Sequence, residues 1–457
     1  MVDMVARSGT RSPAASCYQR RVPLTKQHPQ SVRATVMQTS SPDSLDVLTD
    51  QLIVIGSEGR IASMRPANHD DTADVTLPPS SILVPGLIDT HLHAPQWTQR
   101  GVGLDLPLDR WLNDYTFPLE SSFADSAMAE SVWQAMVPEL LAVGTTTAVY
   151  YSSIHEAATQ ALAEACAEHG QRAFVGRVAM DHPDNTPEGY RDATAAEGVA
   201  ASRRSIAAID AMPGDLVQPI ITPRFIPSCT DELLAGLGDL AAETGVRVQT
   251  HCSESMWEHS YVLERLGTSD TEALESFGLL TDHGVLAHSV HISDADRAIL
   301  IHHGAGVAHC PLSNSYFGDA VFPARRHLDA GLLMGLGTDI AGGPDHSMRA
   351  TCGHAVTSSR MLEAGVDPGR SDWNRPGDRV DITTAFWMAT LGGAELLGIE
   401  AGLLRPGRFF DAVAIDPTTD PSVLATLDQT DDQRRFERIA RGNGSITHVW
   451  VNGVHVA

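Results

Sequence analysis

From residue 127 onward, helix-periodic stretches alternate with short apolar runs. Met128, Val132, Met136, Leu140 and Leu141 recur at helical spacing and predict a helix over 127–143, followed by a strand over 144–150. The same alternation predicts helix 155–169 before strand 173–178, helix 188–211 before 217–222, and helix 230–244 before 246–251. Further strands read at 284–288, 306–309 and 333–339, and the apolar run 84–93 precedes them all. Strands alternating with helices imply a parallel sheet, and eight of them suggest a closed (β/α)8 barrel of TIM type. An open doubly wound sheet is the alternative, but no Gly-x-Gly-x-x-Gly turn opens its first helix.

The flanks read differently. Residues 32–37 alternate as a strand, and 51–55 lead through Gly56-Ser57-Glu58-Gly59 into 60–62 as a hairpin. Short strands at 409–415 and 448–456, after a helix near 383–397, supply the other half of a small β unit. Residues 420–445 are charged and read as a solvated loop. The expected organisation is a basic extension over 1–30, a composite small β domain from 31–82 and 402–457, folded as a flanking β-sandwich, and the barrel over 83–401. The extension sets Arg7, Arg11, Arg20, Arg21 and Lys26 against Asp3 and has no apolar segment, so it is not a secretory signal. A transit peptide, a disordered extension and a misplaced start remain open.

Composition narrows the function. A formal charge of −25 argues against nucleic acid or an anionic membrane as partner. No apolar run approaches the roughly 18 residues of a membrane helix. Lys26 is the single lysine, so neither a Walker-A phosphate loop nor a lysine Schiff base in the body of the protein is available. Cys17, Cys166, Cys229, Cys252, Cys310 and Cys352 form no Cys-x-x-Cys pair, which points to reduced thiols in a cytoplasmic protein. A thiolate-ligated zinc deaminase would need a Pro-Cys-x-x-Cys run and is excluded.

The chemistry gathers at strand ends. His91 and His93 lie two apart, so a strand presents both imidazoles on one face. Alone, such a pair is as compatible with a surface accident as with a metal. His251 ends the fifth predicted barrel strand, His288 the sixth and Asp339 the eighth, and barrels keep their active sites at those ends. Nitrogen and oxygen donors without a thiolate suit zinc or iron, with a place left for water. Glu254, three residues after His251, is placed to move protons, or alternatively to satisfy backbone donors at a helix start.

Pro85-Gly86-Leu87-Ile88-Asp89-Thr90-His91-Leu92-His93, the later histidines and Gly337-Thr338-Asp339 resemble the amidohydrolase superfamily. Within it, Ala94-Pro95-Gln96, Asp105 to Leu112, Tyr115 to Glu120, Thr222-Pro223-Arg224-Phe225, His309 to Asn314 and Leu336 to Gly343 resemble the guanine deaminases. The resemblance spans about residues 32–457. It implies one zinc per subunit, with iron(II) possible, held by His91, His93, His251 and Asp339. Glu254, His288 and Asp339 would be catalytic, Glu254 as the proton shuttle. His93, Ala94, Pro95, Gln96, Arg224, Phe225, His251, Glu254 and Asp339 would line the substrate, Gln96 and Arg224 bonding its purine edge. The implied reaction converts guanine to xanthine and ammonia in a homodimer. A relative acting on 8-oxoguanine, a pterin or a triazine is the alternative, and a scaffold without chemistry would be expected to lack the ligands. A binuclear site bridged by a carboxylated lysine near 222–225 has no lysine to use. The chain departs from the family at Leu312, where Asn is usual, and at Pro344-Asp345-His346; both departures are expected at the pocket wall.

Overall fold

The computed structural model describes residues 29–366, 369–420 and 431–457, so the basic extension lies almost wholly outside the described residues. Five strands come first: β1 (Ser31–Ser41), β2 (Ser44–Ile55), β3 (Ile61–Pro66), β4 (Val75–Thr76) and β5 (Ile82–Pro85). Ten short strands follow with helices among them: β6 (Leu87–His93), β7 (Thr145–Tyr151), β8 (Arg172–Gly176), β9 (Val178–Ala179), β10 (Val217–Pro219), β11 (Thr222–Pro223), β12 (Gln249–Cys252), β13 (Val285–His288), β14 (Gly306–His309) and β15 (Leu333–Leu336). The last are β16 (Ala412–Asp416), β17 (Ser445–Val451) and β18 (Val454–His455).

The first five and last three strands form one mixed sheet in the order β18-β17-β16-β5-β1-β2-β3, with β4 beside β1. Strand β5 lies between parallel β1 and antiparallel β16. The sheet curls until Arg60 bridges Phe409. Its period-2 alternation then divides two cores. Val36, Leu83, Ala412 and Ala414 face the sheet's own interior with Phe410 and Trp450, whereas Met37, Val84, Val413 and Ile415 join the barrel core. One curled sheet thus supplies both layers of the sandwich-like unit.

The barrel strands run parallel and in order. β6, β7, β8 and β10 pair successively, as do β12, β13, β14 and β15. β8 and β10 resume after a break as β9 and β11, which pair with each other, and an Ile221–Val248 bridge joins this half to β12. The ring closes where Asp339 N–H donates to His91 O and His93 N–H to Ile340 O, each at 2.9 Å.

Four expectations need correction. The run 84–93 is two strands: Val84 belongs to the flanking sheet, and the chain breaks at Gly86, where a Cβ would lie 2.2 Å from Thr146 Oγ1. Strand 217–222 is interrupted between β10 and β11. Helix 188–211 begins only at Ala195, because Thr194 Oγ1 caps it by accepting from Glu197 N–H. Within the supposed loop 420–445, Asp432–Ala440 is a helix that buries Phe436, Ile439 and Ala440, with Phe436 edge-on to Phe386; residues 421–430 lie outside the described residues. Among the described residues no helix is long and apolar enough to cross a membrane.

Candidate active site

Every residue of β6 is buried, so His91 and His93 enter the barrel interior rather than solvent. His251 and His288 arrive from neighbouring β12 and β13, and Asp339 from the turn after β15. His91 Nε2 stands 3.1 Å and His93 Nε2 3.6 Å from Asp339 Oδ1, while His93 Nε2 and His251 Nε2 are 3.0 Å apart. Donors bound tetrahedrally to one ion at about 2.1 Å stand about 3.4 Å from one another, which is this spacing. His288 Nε2 lies 3.7 Å from Glu254 Oε1 and 3.8 Å from Asp339 Oδ2.

The electrostatics favour metal ligation. Burial pushes the His91, His93 and His251 imidazoles well below their usual range, so each keeps a neutral ring with a free lone pair. Burial lowers His288 as well and raises Asp339, and it drives Glu254 up to about 8 with further help from Asp339. His251 Nδ1–H donates to Arg224 O at 2.5 Å and His288 Nδ1–H to Asn314 Oδ1 at 2.9 Å, turning both Nε2 atoms inward. Neither nitrogen of His91, nor His93 Nδ1, nor His288 Nε2 has a hydrogen-bond partner although all are buried. Buried polar atoms are ordinarily satisfied, so these orphans, with the donor set, fit a bound cation. Beneath them Asp89 accepts from Thr338 N–H (3.0 Å), Thr338 Oγ1–H (2.5 Å) and His91 N–H (3.2 Å), pinning the two strand ends that carry His91 and Asp339. Ser253, His288, Ser289 and Asp339 adopt φ of 47°, 69°, 53° and 49°, left-handed values that non-glycine residues take at a cost.

A cavity opens beside the cluster. His93, Gln96, Arg224, Phe225, His251, Glu254 and Asp339 line it together with Leu108, Trp111, Leu112, Phe317 and Gly342. Ala94 and Pro95, by contrast, are buried in the short helix Ala94–Gln99 and build the turn rather than the wall. Leu108, Trp111 and Leu112 were legible only as apolar residues within a motif, and Phe317 lies outside the motifs altogether. Glu120, fully buried, was legible as the end of the Tyr115–Glu120 motif but without a role: it accepts hydrogen bonds from Gln96, Arg224 and Tyr190. An isolated acid in Phe117-Pro118-Leu119-Glu120 was its available signal. The two departures from the family pattern are not on the wall. Leu312 is half-buried and off the cavity, and His346 packs against Trp97 and accepts from Arg100 behind the turn.

Comparison with known proteins follows the same lines. Residues 82–456 match the model of the amidohydrolase family. A probable guanine deaminase of Schizosaccharomyces pombe is 36% identical over 396 residues, covering 82% of this chain and 72% of that protein. A guanine deaminase of Dictyostelium discoideum is 34% identical over 421 residues, covering 87% and 90%. The crystal structure of guanine deaminase from C. acetobutylicum with guanine bound in its active site aligns with a TM-score of 0.85 at 28% identity, covering 94% of this chain and 100% of that one.

Proposed function

The chain belongs to the amidohydrolase family, and from that premise we propose how its residues deaminate guanine to xanthine and ammonia. It is a hydrolase acting on the C–N bond of the amino group at C2. The observation that carries this reading is one buried cavity that combines the imidazole–carboxylate cluster with the Gln96 amide and Arg224 guanidinium, groups suited to a lactam edge.

In this reading His91, His93, His251 and Asp339 hold one zinc per subunit, with iron(II) the alternative. Bound there, the ion supplies Lewis acidity that makes water nucleophilic near neutral pH. Arg224 donates to the C6 carbonyl oxygen, Gln96 bonds the neighbouring ring edge, and Phe225 packs against the ring. Asp339 takes the proton of the attacking water while His288 orients it. As the bond to C2 forms, Glu254 protonates the adjacent ring nitrogen; it then takes the remaining proton of the added hydroxyl and, as the C2–N bond breaks, delivers it to the departing amine, and the proton left on Asp339 returns to Glu254 to reset the site. Ammonia leaves and xanthine remains.

We further infer a cytoplasmic homodimer, with residues 31–82 and 402–457 as one composite domain beside a catalytic barrel over 83–401. The deciding experiment follows guanine conversion by ultraviolet absorbance alongside elemental analysis. Xanthine should accumulate in proportion to bound zinc. Consumption of 8-oxoguanine, a pterin or a triazine with no xanthine from guanine would overturn the reading.

A further inference from the structure

Glu120 takes no part in the steps above, yet it is the most heavily bonded side chain near the cavity. Its Oε1 accepts from Gln96 Nε2 at 2.8 Å and Arg224 NH2 at 3.1 Å. Its Oε2 accepts from Arg224 NH1 at 2.5 Å and Tyr190 OH at 2.9 Å. A carboxylate offers about four lone-pair sites, so Glu120 is saturated and has none left for a ligand. It does not line the cavity, and its side chain is 1% exposed against 3% for that of Arg224. The other end of Gln96 is tied as well, Oε1 accepting from Ala341 N–H at 2.9 Å. Arg224 is further held over the Phe117 ring, 4.9 Å from its centroid.

Two consequences follow. The bidentate pair fixes the plane of the guanidinium and with it the directions of its remaining N–H groups. It also cancels the charge of the one arginine lining the cavity. An unpaired guanidinium this deeply buried would draw in any anion, because buried charge is costly until it is matched. Paired with Glu120, Arg224 offers hydrogen-bond donors without net charge.

We propose that Glu120 is a positioning residue that sets the charge class of the ligand: it makes the cavity accept neutral lactam rings and turn away ring anions. The proposal rests on the reading that Arg224 faces the lactam carbonyl. Guanine is neutral near neutral pH, whereas xanthine loses a ring proton more readily. The same pair therefore also keeps the product from lingering as its anion.

The test is Glu120→Gln in the metal-loaded protein, read in two ways. Guanine KM should rise about tenfold or more, the scale of a lost charged hydrogen bond, with kcat falling less. Calorimetric titration with xanthine should give tighter binding than wild type above the ionisation of xanthine, and no gain below it. Tyr190→Phe, which removes a donor but leaves the charge pair, should keep the wild-type xanthine profile. Guanine and xanthine weakened alike at every pH in Glu120→Gln would overturn the proposal and leave Glu120 a scaffold. Should that variant not fold, the double variant Glu120→Gln with Arg224→Met, neutral again, should bind xanthine with the wild-type pH profile; a gain confined to the anion would overturn the proposal there. Wild-type protein inert toward guanine would refute the function proposed above. The titrations need no turnover and still decide this point.

Discussion

The two ends of the barrel bury charge in opposite ways. Where the barrel meets the flanking sheet, Arg172 at the start of β8 donates through Nε and NH2 to Asp411 at 3.2 and 3.1 Å, and also to Asn452. Asp411 in turn accepts from Asn452 N–H at 2.7 Å, and the guanidinium lies over the Phe409 ring. At the other end, His91 has two unpartnered nitrogens, and four non-glycine residues are held at positive φ. Both ends are buried, so burial does not separate scaffold from chemistry. Unpartnered imidazoles clustered round one point do: the junction also has a non-glycine residue at positive φ, Asn452 at 48°, but its charged groups are paired with each other.

The comparison can be tested from the catalytic end first. Glu254→Gln should keep its metal and lose up to about 10⁴-fold in kcat, the scale of general acid–base catalysis; near-normal turnover would refute the shuttle role. At the junction, Arg172→Met should cost about 3–5 kcal/mol in urea unfolding, because Asp411 is left buried without its cation, while guanine KM stays unchanged. A matching rise in KM would erase the distinction between the ends. Chelation should lower the melting temperature and zinc should restore it, the ion adding about 3–4 kcal/mol of stability when it exceeds its dissociation constant 100- to 1,000-fold. An unmoved melting point would mean that the orphaned histidines hold nothing.

The smallest effect belongs to His327, whose buried Nδ1 also lacks a hydrogen-bond partner but which stands away from the cluster. His327 stacks on Phe322 with ring centroids 4.7 Å apart, and burial, followed by Arg297 and Arg326, lowers its pKa to about 4. The unfolded chain therefore binds this proton first, so stability is lost as pH falls from about 6.5 toward 4. His327→Phe should flatten that part of the pH–stability curve measured by urea unfolding. An unchanged slope would place the acid sensitivity elsewhere.

Much of this was legible in the sequence because it depends on period and position. His91 and His93 follow from the two-residue repeat of a strand, and His251, His288 and Asp339 from their places at strand ends. What was hidden depends on contacts between distant segments. Helix Asp432–Ala440 shows mostly charge, and its apolar stripe is only Phe436, Ile439 and Ala440, too little to announce a buried face. Residues 188–194 carry helical spacing, but the chain turns there, and Tyr190 reaches Glu120. Glu120, on the helix Phe117–Ser122, looks like any acid until Arg224 arrives from the segment just after β11. Pro85-Gly86 was visible as punctuation. That it hands the chain from one sheet to another was not, since the handover requires Thr146 and Asp411.

The insertion of β5 between β1 and β16 has a consequence for how the molecule is made. Ile82 pairs with Ile415 and Val84 with Val413, so one edge of β5 has no partner until about 330 further residues have been made. Contacts so far apart in sequence close slowly, and an open edge strand is a template for pairing with another molecule. A nascent chain stopped before residue 412 would carry a complete set of metal ligands and a sticky seam. Solubility during synthesis thus depends on the last strands more than on the catalytic residues they never touch.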